Sequence, residues 1–182
     1  MAKRQVFISF RYAYDAWRAS QVRNMGKVSD DSTFSDNDWE EVKSKSDESI
    51  KKWINDQMAK RSCVVLLIGE HTQGRKWIEY EIEKAWKSGK GIVGIYIHGL
   101  KDASGNQATK GKNPLKDFCI DKTFNYIAKR SKPVDDNEVN LSDVCKAYDT
   151  PYQTSPYVYD YIKEHIADWI EEAIEIRNSY PK

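Results

Sequence analysis

Two apolar runs constrain this chain more than any other feature: "CVVLLIG" at residues 63–69 and "GIVGIYIHG" at 91–99. A strand that is apolar on successive positions must be covered on both faces, as it is in a parallel sheet held between two layers of helices. The stretch between them, "RKWIEYEIEKAWKSGKG" (75–91), carries apolar residues at helical spacing and supplies the covering element. The first half of the chain keeps this alternation. "QVFISF" (5–10) reads as a strand, and Trp17, Val22 and Met25 mark one face of the helix that follows. "STFSD", near residue 34, is a weak second strand. Ser46 then serves as N-cap with Asp47 and Glu48 in an acidic first turn, ahead of a stripe of Ile50, Trp53, Ile54, Gln57 and Met58.

Residues 99–154 lose the pattern and become rich in Gly, Asn, Asp, Ser and Pro, with a fifth strand expected at "TFNYIA" (123–128). An insertion of this length inside a compact domain is functional or mobile as a rule. A closing helix spans about 156–177, with Ser155 as N-cap, Pro156 at the first helical position, and Val158, Tyr161, Ile162, His165, Ile166, Trp169, Ile170, Ala173 and Ile174 on one face. The expected fold is α/β: a three-layer sandwich with a central, mainly parallel sheet of about five strands, in a single domain over 1–182.

Composition narrows the function. Lys+Arg number 29 against 28 Asp+Glu, a formal net charge of +1, so no strong field draws the chain to nucleic acid or an anionic membrane. No stretch reaches the ~20 apolar residues of a membrane span, and "MAKRQVFISF" lacks the apolar region of a signal peptide. Cys63, Cys119 and Cys145 are odd in number and have no CxxC spacing, so they read as reduced thiols of a cytoplasmic protein. His71, His98 and His165 have no metal-ligand spacing, and no metal or cofactor is expected. His98 ends a strand, where the ligands of an open parallel sheet sit, but the reading without a ligand is the favoured one for it.

Motifs exclude as much as they suggest. Gly89, Gly91 and Gly94 match G-x-G-x-x-G, yet here a helix ends and a strand begins, the reverse of the dinucleotide-binding order. Helix termination and close packing explain them better. A phosphoacceptor receiver would need carboxylates after the first and third strands, where this chain has "RYAYD" and "IGEHTQG". On a helical wheel of 75–91, Ile78, Ile82, Ala85 and Trp86 form the buried stripe, Glu83 faces solvent, and Glu79 and Glu81 fall on opposite flanks. Periodicity cannot choose between those two. Trp77, one turn before Glu81, sets an aromatic wall beside that carboxylate, but by itself Glu81 reads as a solvated flank residue.

In combination these segments resemble the Toll/interleukin-1 receptor (TIR) domain family, and more closely the TIR-like proteins of the bacterial Thoeris antiphage system. "VFISFR" (6–11) is similar to that family's first strand and loop, and "CVVLLIGEHTQGRKWIEYEI" (63–82) to its third strand and Trp-x-x-x-Glu helix start. "DNDWEEVKSKSD" (36–47) and "HGLKDASGNQATKGKNP" (98–114) resemble the Thoeris branch. The resemblance covers roughly 4–115. Where TIR enzymes commonly carry a small hydroxyl residue two positions before the tryptophan and a cysteine just after it, this chain has Arg75 and Ile78.

The resemblance implies a flavodoxin-like fold and an NAD glycohydrolase or ADP-ribosyl cyclase activity, with NAD as substrate rather than cofactor. It implies that Glu81 is the catalytic carboxylate, that Trp77 walls the cleft, and that Phe10 and Arg11 line the nicotinamide and phosphate side. Ser46 and Asp47 are implied as further contacts to the ligand. The product would be a cyclic or conjugated ADP-ribose signal, made on infection, that activates a separate effector protein. A phage component as activator and self-association are further expectations. The alternative is a non-catalytic TIR assembly module, for which Glu81 is surface decoration; a nucleotide sensor without turnover is a third.

Overall fold

The computed structural model of the chain describes residues 3–29 and 44–182. Its elements in order are β1 (Val6–Ser9), α1 (Tyr12–Arg23), α2 (Asp47–Ala59), β2 (Cys63–Ile68), α3 (Lys76–Lys87) and β3 (Gly91–Tyr96), then β4 (Phe118–Asp121), β5 (Ile127–Lys129), β6 (Glu138–Asn140), β7 (Ala147–Tyr148) and α4 (Ser155–Asn178). The two fully apolar runs form β2 and β3, paired in parallel with Cys63 opposite Gly91. Among the described residues the main sheet has four strands in the order β1-β2-β3-β7, all parallel.

Period-two alternation sorts the sheet side chains into two cores. Val6, Ile8, Val65, Leu67, Val93 and Ile95 pack with Ala19 and Val22 of α1 and with Val158, Ile162, Ile166 and Ile170 of α4. Phe7, Val64, Leu66, Ile68 and Ile92 pack on the other face with Ile54 and Met58 of α2 and with Ile78, Ile82 and Trp86 of α3. Each fully buried Leu, Ile or Val contributes roughly 1.5–3 kcal/mol relative to exposure, so covering both faces is what makes these strands stable. The helices that follow neighbouring strands β1 and β2 thus lie on opposite faces, and a crevice opens between them at the strands' carboxyl ends.

The weak strand anticipated near residue 34 lies outside the described residues. "TFNYIA" does end in a strand, β5, but not in the main sheet: β5-β4-β6 is a separate antiparallel sheet, and Phe118, Ile120 and Ile127 press it onto the core on the α3 side. The fourth place in the parallel sheet goes to Ala147–Tyr148 instead. Side-chain hydrogen bonds hold this loop-rich stretch together. Asp121 accepts from the Thr123 and Phe124 N–H groups, Asp135 from Asn137, and Asn140 from Ser142.

Ser46 caps α2 as expected, accepting from the Ser49 N–H at 3.3 Å. The closing helix begins one residue early, at Ser155, with Thr154 as N-cap. Its far end carries Arg177, fully buried, which donates to the Trp86 carbonyl at 2.8 and 3.1 Å. A cation thereby caps the negative end of the α3 dipole, while the positive end points to the crevice. Gly91 lies where the α4 backbone crosses the sheet; a Cβ there would stand 2.8 Å from the Ile174 nitrogen. Close packing, not a phosphate cradle, accounts for that member of the glycine triplet.

Candidate active site

Strand β1 ends at Ser9, and the chain turns through Phe10 and Arg11 directly into α1, with Arg11 as the N-cap. Across the crevice, α3 starts at Lys76 with Arg75 as its N-cap. Between the two helix starts lies a cavity of about 350 Å³, lined by Ile8 to Ala13 without Ser9 and by Arg75 to Glu81 without Glu79 and Tyr80. This size is within the range of small-ligand sites, and two helix N-termini give it a positive bias.

Glu81 is the one carboxylate on that lining. It is 5% exposed, although the wheel placed it on a solvated flank. The reason is β1: the helix flank that would meet water meets a strand end instead, and Ser9 Oγ donates a hydrogen bond to Glu81 Oε2. Burial drives the Glu81 pKa up to about 8, and the Ser9 hydroxyl opposes the shift only in part. No salt bridge reaches Glu81 among the described residues, even though Arg11, Arg75 and Lys76 line the same cavity. A buried carboxylate near neutrality, with cations at a distance and aromatic walls beside it, is a group poised to meet an incoming positive charge.

The opposite flank shows what the alternative looks like. Glu79 points away from the cavity and pairs with Lys129 of β5 at 2.6 Å. Glu83, expected in solvent, is half-buried.

The structure brings Phe10, Arg11, Trp77 and Glu81 together on one cavity. Trp77 is half-buried and packs edge-on against Tyr80 at 5.9 Å. Arg11 reaches the His71 carbonyl at 3.2 Å and lies over the Tyr14 ring at 4.6 Å. The structure does not bring Ser46 and Asp47 to the cavity wall. The Ser46 hydroxyl is committed to capping α2, and the Asp47 carboxylate is ion-paired with Lys76, which holds the start of α2 to that of α3 at the rim. His98 is half-buried at the end of β3, where burial lowers its pKa, and it does not line the cavity either.

Sequence reasoning missed Ser9 and Arg75. A signal for Ser9 existed: alternation along "VFIS" puts it on the same face as Phe7, which is the α3 face, and a 2%-exposed hydroxyl on a buried face needs a polar partner. Arg75 was noted only as a departure from a pattern, yet it is a wall of the site. Ile78, the other departure, belongs to the core.

Among the described residues, no helix is long and apolar enough to cross a membrane, and no cluster of His, Cys, Asp and Glu could hold a metal ion. The three cysteines are buried and unpaired.

Comparison with known proteins gives the family. A protein of Bacillus cereus (strain MSX-D12), named "Putative cyclic ADP-D-ribose synthase ThsB1", is 40% identical over 120 residues. That alignment covers 63% of this chain and 62% of the relative's length, so the match spans somewhat less than two thirds of the relative. The family model described as "Thoeris protein ThsB, TIR-like domain" matches residues 7–102, a span holding β1 from its second residue on, β2, β3 and every residue of the cavity wall. The chain belongs to the TIR-like domain family of the Thoeris protein ThsB.

Proposed function

We propose that this protein breaks the bond between nicotinamide and ribose in NAD and passes the ADP-ribosyl group to an acceptor, forming a cyclic ADP-ribose signal. The observation that carries the proposal is Glu81: a buried carboxylate, alone of its kind on the cavity wall, its pKa raised by burial to about 8. The naming of the Bacillus cereus relative as a cyclic ADP-ribose synthase supports it.

The chemistry follows from charge. NAD carries a positive nicotinamide ring, which fits between the faces of Phe10 and Trp77. Its arrival favours the ionised form of Glu81. The C1′–N1 bond breaks with its electron pair moving to the ring nitrogen, so neutral nicotinamide departs and the positive charge passes to the ribose as an oxocarbenium. A fixed carboxylate in a water-poor cleft stabilises that charge and accepts hydrogen bonds from the ribose hydroxyls. An internal hydroxyl or an adenine nitrogen then bonds to C1′ and, for a hydroxyl, releases its proton; water in that role gives plain ADP-ribose. Arg11, with its forked donors, and the positive N-terminal end of α1 face the diphosphate. The signal acts on a separate effector protein, and a phage component activates the enzyme on infection.

The test is mass spectrometry of nicotinamide and ADP-ribose products after incubating NAD with wild-type protein or Glu81→Gln, in lysates of infected and uninfected cells. Release by wild type and its loss in the variant is the expected result. A folded Glu81→Gln protein that still protects cells, with no product from either form, would leave the assembly module as the function.

A further inference from the structure

A second cavity of about 340 Å³ adjoins the first and shares Arg75 with it. Its walls come from the β2–α3 loop (Glu70, His71, Gln73) and from the loop after β3 (Lys110, Gly111, Lys112). These loops are locked together. A Cβ on Gly111 would stand 2.0 Å from the Gly69 carbonyl oxygen, so only glycine permits the approach. Glu70 Oε2 accepts from the Thr109 N–H at 3.4 Å, and Gln73 Nε2 donates to both Asp117 oxygens at 3.0 and 3.1 Å. Asn113, buried, fixes the chain on the far side of Lys112 by accepting from the Leu115 N–H.

The cations of this wall differ in what they are doing. Lys110 is committed to Asp149 at 3.0 Å and to the Tyr96 ring at 4.4 Å. Arg75 and Arg11 both reach toward one acceptor, the His71 carbonyl, at 3.5 and 3.2 Å. Among the described residues neither guanidinium meets a carboxylate, and neither does Lys112. Like charges gathered on one carbonyl at the partition between two cavities call for an anion. Glu70 adds a carboxylate whose Oε1 has no hydrogen bond among the described residues, the acceptor that a ribose diol needs.

We propose that this second cavity is the subsite for the adenosine phosphate half of a dinucleotide: Arg75 and Arg11 share the diphosphate, Lys112 faces the adenosine-side phosphate, and Glu70 takes its ribose hydroxyls. The proposal rests on the reading of Glu81 as the site of bond cleavage in NAD, and it assigns a binding role to a loop outside the Trp-x-x-x-Glu helix. It makes the Glu81 cavity the nicotinamide end of a two-chamber groove.

The experiment compares full-length wild type, Lys112→Glu and, as a control of equal charge change on an exposed face of α4, Lys163→Glu. Isothermal titration measures Kd for ADP-ribose and for nicotinamide mononucleotide, and nicotinamide release from NAD gives KM and kcat. Lys112→Glu is expected to raise Kd for ADP-ribose and KM for NAD about tenfold, with kcat and the mononucleotide Kd within twofold of wild type. Lys163→Glu stays at wild-type values. Equal values for the two variants overturn the subsite, as does a mononucleotide Kd weakened as much as that of ADP-ribose, or an absence of ADP-ribose binding by wild type. Wild-type protein that binds ADP-ribose in a Lys112-dependent way but releases no nicotinamide keeps the subsite and removes the cleavage reading instead.

Discussion

The two flanks of α3 carry glutamates two residues apart, and the tertiary fold gives them opposite fates. Glu79 faces the small antiparallel sheet, keeps contact with water and pairs with Lys129. Glu81 faces the end of β1, loses its water and finds a serine hydroxyl instead of a cation. The first arrangement is cheap and weakly stabilising. The second makes ionisation of Glu81 costly until a positive charge arrives, and a carboxylate so placed is what an enzyme needs opposite a developing cation. The difference teaches that a carboxylate becomes a candidate catalyst by what packs against it, since both residues share one helix and one side-chain chemistry.

Four changes sharpen or break this contrast, beginning with the largest effect. Glu81→Gln should lower nicotinamide release by roughly a thousandfold or more, as expected when a preorganised electrostatic partner is removed. The same variant should be more stable than wild type at alkaline pH, and the sign follows from linkage. The Glu81 carboxyl is raised to about 8 in the folded protein and titrates at about 4.3 when unfolded. Its favourable contribution is therefore complete below the unfolded value and is lost as pH rises through the folded one. Between about pH 4.5 and pH 8 wild type should lose on the order of 3–5 kcal/mol relative to Glu81→Gln, measurable by denaturant titration at several pH values. A stability difference that does not change with pH would mean that Glu81 is hydrated and the contrast between flanks is false.

Trp77→Ala, on the Glu81 flank, should reduce kcat/KM for NAD by about tenfold to a hundredfold through loss of the ring's aromatic wall. Steady-state kinetics reads this directly. Ser9→Ala should remove the Ser9 hydrogen bond to Glu81, raise the Glu81 pKa further and move the rise of kcat/KM with pH to more alkaline values. A merely structural serine would lower stability without moving that profile. Glu79→Gln completes the series: it should leave turnover and melting temperature at wild-type values, and a loss of activity would show that the second flank is coupled to the site.

Much of the fold was legible because it is written in periods. Two apolar runs dictated buried parallel strands, and 3.6-residue stripes dictated α2, α3 and α4 within a residue or two. The misplaced fifth strand shows the limit. "TFNYIA" has strand composition, but the choice between the parallel sheet and a second antiparallel one depends on whether residues 118–121 and 138–140 lie alongside, which no local pattern records. Ser46 and Asp47 were read as ligand contacts on a resemblance of segments. A helix start near a cleft offers its side chains first to its own N–H groups and to the nearest cation, and both residues are engaged in that way.

Local sequence pattern was enough for the alternation of strands and helices from α2 to β3, the closing helix, the coverage of the sheet on both faces, and the presence of Trp77 and Glu81 one turn apart on a single helix. Only the tertiary structure decided which flank of that helix is dry. It also decided that Ser9 would be the partner of Glu81, and that Arg11 and Arg75 would converge on the carbonyl of His71. The physical reason is that periodicity gives a side chain's angle about its own axis. Burial, pKa and hydrogen bonding depend on what stands across from it, and at this site those neighbours come from distant parts of the chain.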